Sequence, residues 1–559
     1  MQVKCKNPWC SQPFEVTQED LVFYDKVSPV FNGKKELVPP PTFCRDCRLQ
    51  RRLTWRNERC FYQRTCGLCG KSMVSIHTVE SPFPVYCNKC WWSDACDGKD
   101  NGRSFDFSRP FFEQFHALRN AAPQITLMND DGVGSENCEY CHDYAFGKNC
   151  YYMIGSWESQ NSYYCTESSD NSRFICDCAC VSNSELVYGS MDSRNLYHCA
   201  FLQDSENSSD CWFGFDLKGC RDCFCCINLR QKQFHIFNEP YSEEEYRKKI
   251  AAYRLGSHQV IQELQTRFQE WILRFPRKNM FLSNCENSDG NHLFNAKDTF
   301  GFNAYNAEHC KFYDRGNSPK FTYDVFQSGR NLWCYEGMVP DDSYMALFCL
   351  WCWKCKNILY SDNCHHCEHC FGCVGLKRAK YCILNKQYSK EEYEKIVPRI
   401  IAVMRKAGEW GEFFPTELSS HAYNETIAPE YFPLTLEQVL SKGWRWLEED
   451  KKEYQQTTVN LPDDIQDTPD AFGKVILTCE KCRKNFRIIP QELALYRQLP
   501  VPTPRLCSAC RHMARQGLRT PYKLWERSCA KCSKGIKTAY APDRPEIVYC
   551  EECYLKEVY

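Results

Sequence analysis

The chain has 559 residues, 42 of them cysteine, and a formal net charge of −1. That length suggests roughly three or four domains. The longest apolar stretch, MALFCLWCW, is far too short to span a bilayer, and the start, MQVKCKNPWC, lacks a signal-peptide pattern, so a soluble cytoplasmic protein with no membrane partner is expected.

Residues 1–92 contain the cysteine pairs Cys5 with Cys10, Cys44 with Cys47, Cys66 with Cys69 and Cys87 with Cys90. In a reducing compartment such pairs favour metal ligation over disulfides. Two pairs separated by a hairpin-sized segment supply four thiolates, which zinc accepts tetrahedrally with no position left open for a substrate. Cys47 leads into CRLQRRLTWRNER, a helical pattern that predicts a treble-clef-like ribbon. GLCGKS at 67–72 is not a phosphate loop, because Thr65 stands where that pattern needs glycine. Residues 93–134 form a linker in which SRPFFEQFHALRN predicts a short amphipathic helix.

From Cys138 to residue 240 short clusters of aromatic residues and cysteine recur every twelve residues, through Cys150, Ser162, Phe174 and Leu186. The step slips near Cys199 and returns at Cys211, Cys223 and His235. Asn, Ser, Asp and Gly fill the gaps. Constant period with turn residues between strand-like clusters predicts a β-solenoid over 135–240, each repeat being a full coil or half of one. Residues 241–278 then predict a helical cap, opened by the capping-box pair Ser242 and Glu245.

A second array over 279–387 keeps the same step through Cys310, Thr322, Cys334, Ala346, Ile358, Cys370 and Cys382. Its end, VGLKRAKYCILNKQYSKEEY, aligns with INLRQKQFHIFNEPYSEEEY of the first array. Ser389 and Glu392 repeat the capping box and open a second cap over 388–412. The run CHHCEHCFGC places Cys364, Cys367, Cys370 and Cys373 three residues apart, the last three aligning with Cys220, Cys223 and Cys226. Two readings stand: small buried side chains in inward columns, or ligands of an additional zinc or iron–sulfur site. His365, His366 and His369 have no counterparts in the first array and are expected to face solvent. Trp212, Trp333, Trp351 and Trp353 are either a stacking platform or ordinary rung packing.

Residues 413–475 form a mixed linker whose segment NETIAPEYFPLT is a docking candidate, with ordinary packing as its alternative. Residues 476–559 repeat the N-terminal module, with Cys479 and Cys482, Cys507 and Cys510, Cys529 and Cys532, and Cys550 and Cys553. Eighteen residues separate Cys47 from Cys66 and Cys510 from Cys529; seventeen separate Cys69 from Cys87 and Cys532 from Cys550. FEVTQEDLVFY also aligns with FRIIPQELALY, and VYCNKC with VYCEEC, so the two ends are copies. Arg48, Arg52, Arg56 and Arg64 match Arg511, Arg515, Arg519 and Arg527. The first three of each set recur at i, i+4 and i+8 along one helical face. They are candidate phosphate contacts; the competing expectation is a solvated face that offsets the charge of the metal centres.

The stretches WWSDACDGKDNGRSFDFSRPFFEQF, CFGCVGLKRAKYCILNKQYSKEEY, AYNETIAPEYFPLT and EIVYCEECYLKEVY carry a resemblance to uncharacterised bacterial zinc-ribbon proteins, in which treble-clef modules flank cysteine-rich repeats. The resemblance implies ribbons and repeats and brings no reaction with it. The fold expected is mainly β with short helices: tandem zinc ribbons at both ends of a two-part solenoid with helical caps. About four zinc ions are expected as cofactors, with an iron–sulfur cluster the weaker alternative. No catalytic motif is found. The function expected is a non-enzymatic zinc-binding scaffold or adaptor whose partner is a protein, a nucleoprotein or nucleic acid. A redox, electron-transfer or thiol-sensing protein is the alternative.

Overall fold

The computed structural model describes residues 1–559 apart from 130–133, 169–170, 315–322, 324–334, 339–341, 449–453 and 458. Thr322, Trp333 and Cys334 therefore lie outside the described residues. The chain folds as two units, each assembled from distant segments: 1–127 with 280–448, and 128–279 with 449–559. The N-terminal ribbons thus share a unit with the second array, and the C-terminal ribbons with the first.

Both arrays are β-solenoids, and one twelve-residue repeat is one full coil. Parallel pairing joins residue i to i+12, as in Glu139 to Tyr151 to Tyr163, and Ala346 to Ile358 to Cys370 to Cys382. Each coil has four short sides, because nearly every third residue turns the chain with a left-handed backbone: φ is 55° at Tyr140, 52° at Asp143, 56° at Phe146 and 54° at Asn149. Such a conformation costs a non-glycine residue roughly 1–2 kcal/mol. Backbone ladders offset it, since the two outward residues of each triplet bond in opposite directions. Tyr151 N–H donates to Ser162 in the next coil at 3.1 Å, and Tyr152 N–H to Glu139 in the previous coil at 2.9 Å.

The third residue of each triplet points inward, and many of these inward N–H groups are met by a side chain inside the coil. Where the inward residue twelve positions earlier is serine, that side chain commonly takes the bond, and Cys355 does so for Cys367. Cys373 N–H donates to Ser361 Oγ at 3.1 Å, Leu196 N–H to Ser184 Oγ at 3.0 Å and Cys367 N–H to Cys355 Sγ at 3.4 Å. The same side chains donate their own proton to the carbonyl two residues back, Ser361 to Leu359 at 3.0 Å and Cys355 to Trp353 at 3.3 Å. Serine and cysteine are small enough to line a narrow coil and carry both an acceptor and a donor. Leu, Ile, Val, Ala and Met fill the other inward positions, and Gly147 makes room for the inward ring of Tyr144.

The inward column of the first array runs Cys150, Ser162, Ile175, Val187, Cys199, Cys211 and Cys223. The slip in its period therefore falls between 162 and 175, where Tyr163 pairs with Cys176 across thirteen residues. Phe174 and Leu186, expected in the column, instead hold left-handed corners at φ 54°. In the second array the early coils have eleven residues, Leu282 pairing with Leu293 and Leu293 with Ala304, before the step becomes twelve.

The last coil of each array is closed by an asparagine. Asn238 donates to Ile227 O at 3.0 Å and accepts from Ile227 N–H at 2.9 Å; Asn385 does the same to Val374 at 2.7 and 2.8 Å. Each carboxamide stands in for the backbone of an absent next coil. The expected capping boxes follow, opening the helices Glu243–Ala251 and Lys390–Ala407. The first cap helix ends at Ala251, and Ser257 caps a second helix, His258–Ile272. The helix expected in 108–120 is Phe111–Ala121, whose first N–H groups are held by the Glu409 carboxylate at 2.8 and 2.9 Å. No helix among the described residues is long and apolar enough to cross a membrane.

The inward hydrogen bonds make a specific prediction. Ser361→Ala leaves the buried Cys373 N–H without its acceptor and should destabilise the protein by about 1–3 kcal/mol, whereas Ser361→Cys should cost less than half as much. The measurement is the denaturant midpoint of the two variants against the parent protein.

Candidate metal centres

Four groups of four cysteines converge: Cys5, Cys10, Cys44 and Cys47; Cys66, Cys69, Cys87 and Cys90; Cys479, Cys482, Cys507 and Cys510; and Cys529, Cys532, Cys550 and Cys553. Within each group all sulfurs lie within 4.8 Å of one another. The pairs Cys10–Cys44, Cys69–Cys87, Cys482–Cys507 and Cys532–Cys550 are 3.8, 3.9, 3.6 and 3.8 Å apart. A tetrahedron of sulfurs about 2.3 Å from a central ion has edges of about 3.8 Å. The groups therefore have the size of a tetrathiolate site.

Local backbone rules build them. Gly70, Arg483 and Ser533 follow the first pair in three of the modules at φ 70°, 63° and 61°. Their N–H groups close a tight knuckle on the carbonyls of Cys66, Cys479 and Cys529 at 3.0, 2.9 and 2.9 Å. The second pair starts a helix in every module, with Cys44, Cys87, Cys507 and Cys550 at the N-caps of Arg45–Leu53, Asn88–Trp91, Ser508–Gln516 and Glu551–Val558. Cap amides point at sulfur, Cys44 N–H to Cys5 at 3.2 Å, Cys87 to Cys66 at 3.3 Å and Cys550 to Cys529 at 3.2 Å. Helix N-termini and directed N–H groups both favour thiolate. Burial opposes ionisation of Cys66, Cys479 and Cys529, yet backbone N–H groups hold their thiols down at about 6. Hydrogen bonding from Cys47 takes Cys44 to about 5.

The array cysteines are arranged differently. Cys364, Cys367, Cys370 and Cys373 occupy successive sides of one coil, and they and Cys220, Cys223 and Cys226 are at most 2% exposed. Cys367 donates to the carbonyls of His365 and Leu376, both at 3.4 Å, and Cys373 to those of Phe371 and Cys382, both at 3.5 Å. Among the described residues they form no compact group of the ribbon kind. Of the neighbouring histidines, His366 is exposed and His369 half-buried, but His365 is not solvent-facing. It is 1% exposed, its ring lies 4.9 and 5.0 Å from those of Trp92 and Trp353, and burial pushes its pKa down to about 3. Trp212 and Trp351 are likewise buried, which removes them as a stacking platform.

The arginine rows are buried too, so neither a solvated face nor an open phosphate grip describes them. Arg48, Arg52 and Arg56 are 2, 1 and 0% exposed, and Arg511, Arg515 and Arg519 are 8, 8 and 9% exposed. They dock the ribbon helix on the solenoid of the same unit. Arg511 and Arg515 converge on Asp177 at 2.7 and 3.0 Å, and Arg519 grips both oxygens of Asp192 at 2.9 and 2.7 Å. In the other unit Arg48 and Arg51 converge on Glu336 at 3.5 and 2.9 Å, and Arg56 lies over the Trp351 ring at 4.8 Å. Equivalent tyrosines complete each dock, Tyr24 against Tyr335 at 5.1 Å between centroids and Tyr496 against Tyr188 at 5.5 Å. Arg64 and Arg527 serve their own ribbons, donating to the carbonyls of Thr78 and of Ala541 and Glu546. Asp177, Asp192 and Glu336 carry no local sequence signal, because each partner is more than a hundred residues away. NETIAPEYFPLT also packs internally, Ile427 N–H donating to Arg56 O at 3.0 Å.

No model of a known protein family matches the chain, and no curated protein matches it.

Two outcomes follow. Cys529→Ser should lower bound metal by one ion per chain, while Cys370→Ser should leave the metal content unchanged, as read by elemental analysis of the purified variants. Asp177→Ala strands two buried guanidinium groups and should cost about 3–5 kcal/mol, measured as a shift of the unfolding transition in the unit that holds the C-terminal ribbons.

Proposed function

We propose that the protein is a non-enzymatic scaffold in which four zinc ions staple paired ribbons, and the ribbons in turn brace two β-solenoids for presentation to a partner protein. The observation that carries this reading is the closure of the four cysteine groups. Each offers four sulfurs at tetrahedral spacing, a complete ligand set for zinc with no position to bind or activate a substrate. Zinc bound there would cross-link a ribbon too poor in apolar residues to hold its own fold.

Of the arginines first considered for phosphate, Arg48, Arg511, Arg515 and Arg519 are engaged by solenoid carboxylates and Arg64 and Arg527 by carbonyls of their own ribbons, so a partner would engage the outer ladders of the coils instead. Those ladders are rigid and chemically varied, including the exposed Asn137 to Asn149 step at 3.1 Å and the Arg173–Glu185 pair at 2.7 Å. No disulfide joins the described cysteines, which suits a reducing compartment such as the cytoplasm. The resemblance to bacterial zinc-ribbon proteins agrees with this reading. Electron transfer through the array cysteines has less support, since their sulfurs are engaged with coil carbonyls.

Elemental analysis and an absorbance spectrum of protein purified without air test the proposal. Colourless protein with about four zinc ions per chain is expected. Brown protein carrying stoichiometric iron would replace the scaffold reading with electron transfer.

A further inference from the structure

The two units differ at one equivalent place. Arg51 reaches Glu336 at 2.9 Å, with side chains only 8 and 1% exposed. The ribbon copies align Arg48 with Arg511, so Arg51 corresponds to Ala514; the arrays align Cys367 with Cys220, so Glu336 corresponds to Gly189. Both members of a buried ion pair in one unit are thus represented in the other by residues with almost no side chain. Ala514 and Gly189 both line a cleft of about 600 Å³, formed entirely within the unit of residues 128–279 and 449–559.

The cleft floor is an aromatic column on the solenoid, where Phe201 and Phe213 stack at 4.7 Å with planes 9° apart. Ile261 and Phe268 of the helix His258–Ile272 form one wall, and the ribbon helix with Ala514 forms another. The equivalent column of the other unit, Phe348 on Tyr360 at 4.7 Å, is covered by protein. Phe111, Phe112, Trp410 and Phe414 place their rings 5.3 to 6.1 Å from that of Tyr360. One face is therefore sealed by aromatic rings in one unit and borders a cleft in the other.

The volume falls within the roughly 300–1,000 Å³ typical of small-molecule sites and is too small for another helix. Charge narrows the ligand further. Arg511 and Arg515 are matched by Asp177, and Arg505 has Glu480 at 3.7 Å and lies close to Asp463. An anionic ligand would find the lining guanidinium groups already committed and would lose its hydration without replacement, and a cationic one would meet, besides the matched Asp177, only Glu270, a carboxylate exposed to water. Much of the remaining polar wall is carboxamide, Gln262, Gln265 and Gln269, which hydrogen-bonds without charge. We propose that this cleft binds a small, uncharged, ring-bearing apolar molecule.

The probe is N-phenyl-1-naphthylamine, two apolar ring systems joined by an uncharged amine, titrated by fluorescence into the full-length metal-loaded protein. Saturable binding of one molecule per chain is expected. Ala514→Trp, which fills the cleft with a ring, and the double variant Gly189→Glu with Ala514→Arg, which restores the other unit's ion pair, should each weaken binding at least tenfold with metal content unchanged. The sulfonated analogue 8-anilinonaphthalene-1-sulfonate should bind at least tenfold more weakly than the neutral probe. No binding, or binding untouched by both cleft-filling changes, would overturn the site. Equal affinity for the sulfonated probe would overturn the assignment of an uncharged ligand.

Discussion

The inward N–H of each triplet is the constraint on which the solenoids depend. A coil with four three-residue sides leaves room for one inward side chain per side, while the outward residues bond to the neighbouring coils. An inward N–H met from inside the coil avoids the penalty of an unpaired buried amide, about that of a lost hydrogen bond. A residue that accepts from the coil above and donates to a carbonyl of its own side meets this need. Serine does so in the smallest volume, and Cys355 performs the same task as Ser361. The other inward cysteines serve the coil as small buried side chains that donate to its carbonyls, as Cys367 and Cys373 do.

Sulfur therefore has two uses in this chain, and backbone context separates them. In the inward columns of the arrays the sulfurs lie beside carbonyl oxygens and donate to them, as Cys367 and Cys373 do. In the ribbons sulfur lies beside N–H groups at knuckles and helix N-termini, which favour the thiolate. Cys66 shows the ribbon setting, where backbone N–H groups hold its thiol down at about 6 against the effect of burial. Among the described residues, four cysteines converge on one point only in the second setting.

The ribbons were legible in the sequence because tetrahedral ligation fixes spacing locally and the module occurs twice. Coil length was legible from the twelve-residue period, and the caps from Ser-x-x-Glu. The thirteen-residue coil hid the true slip, since one inserted residue exchanges a corner for an inward position without changing the aromatic character of the cluster, as Phe174 and Ile175 show. The arginine rows were visible, but their burial was not. An i, i+4, i+8 stripe of guanidinium groups looks alike whether its anion is a phosphate or an aspartate contributed by a segment hundreds of residues distant.

That distant pairing shapes the whole chain. The N-terminal ribbons dock on the second array and the C-terminal ribbons on the first, so the chain crosses between units at 127/128, 279/280 and 448/449. Neither dock can form from a contiguous stretch, and the docking charges, buried where an unmatched guanidinium is costly, reward only the completed unit. Asp177 serves two arginines and Glu336 serves two, which concentrates the penalty for a missing solenoid on a single carboxylate in each case. The copies have kept this logic while differing in detail, Arg51 and Glu336 in one unit standing where Ala514 and Gly189 stand in the other. Duplication makes such a difference tolerable: while one arginine row and one tyrosine pair secure each dock, the neighbouring position is free to hold an ion pair in one unit and a cleft in the other.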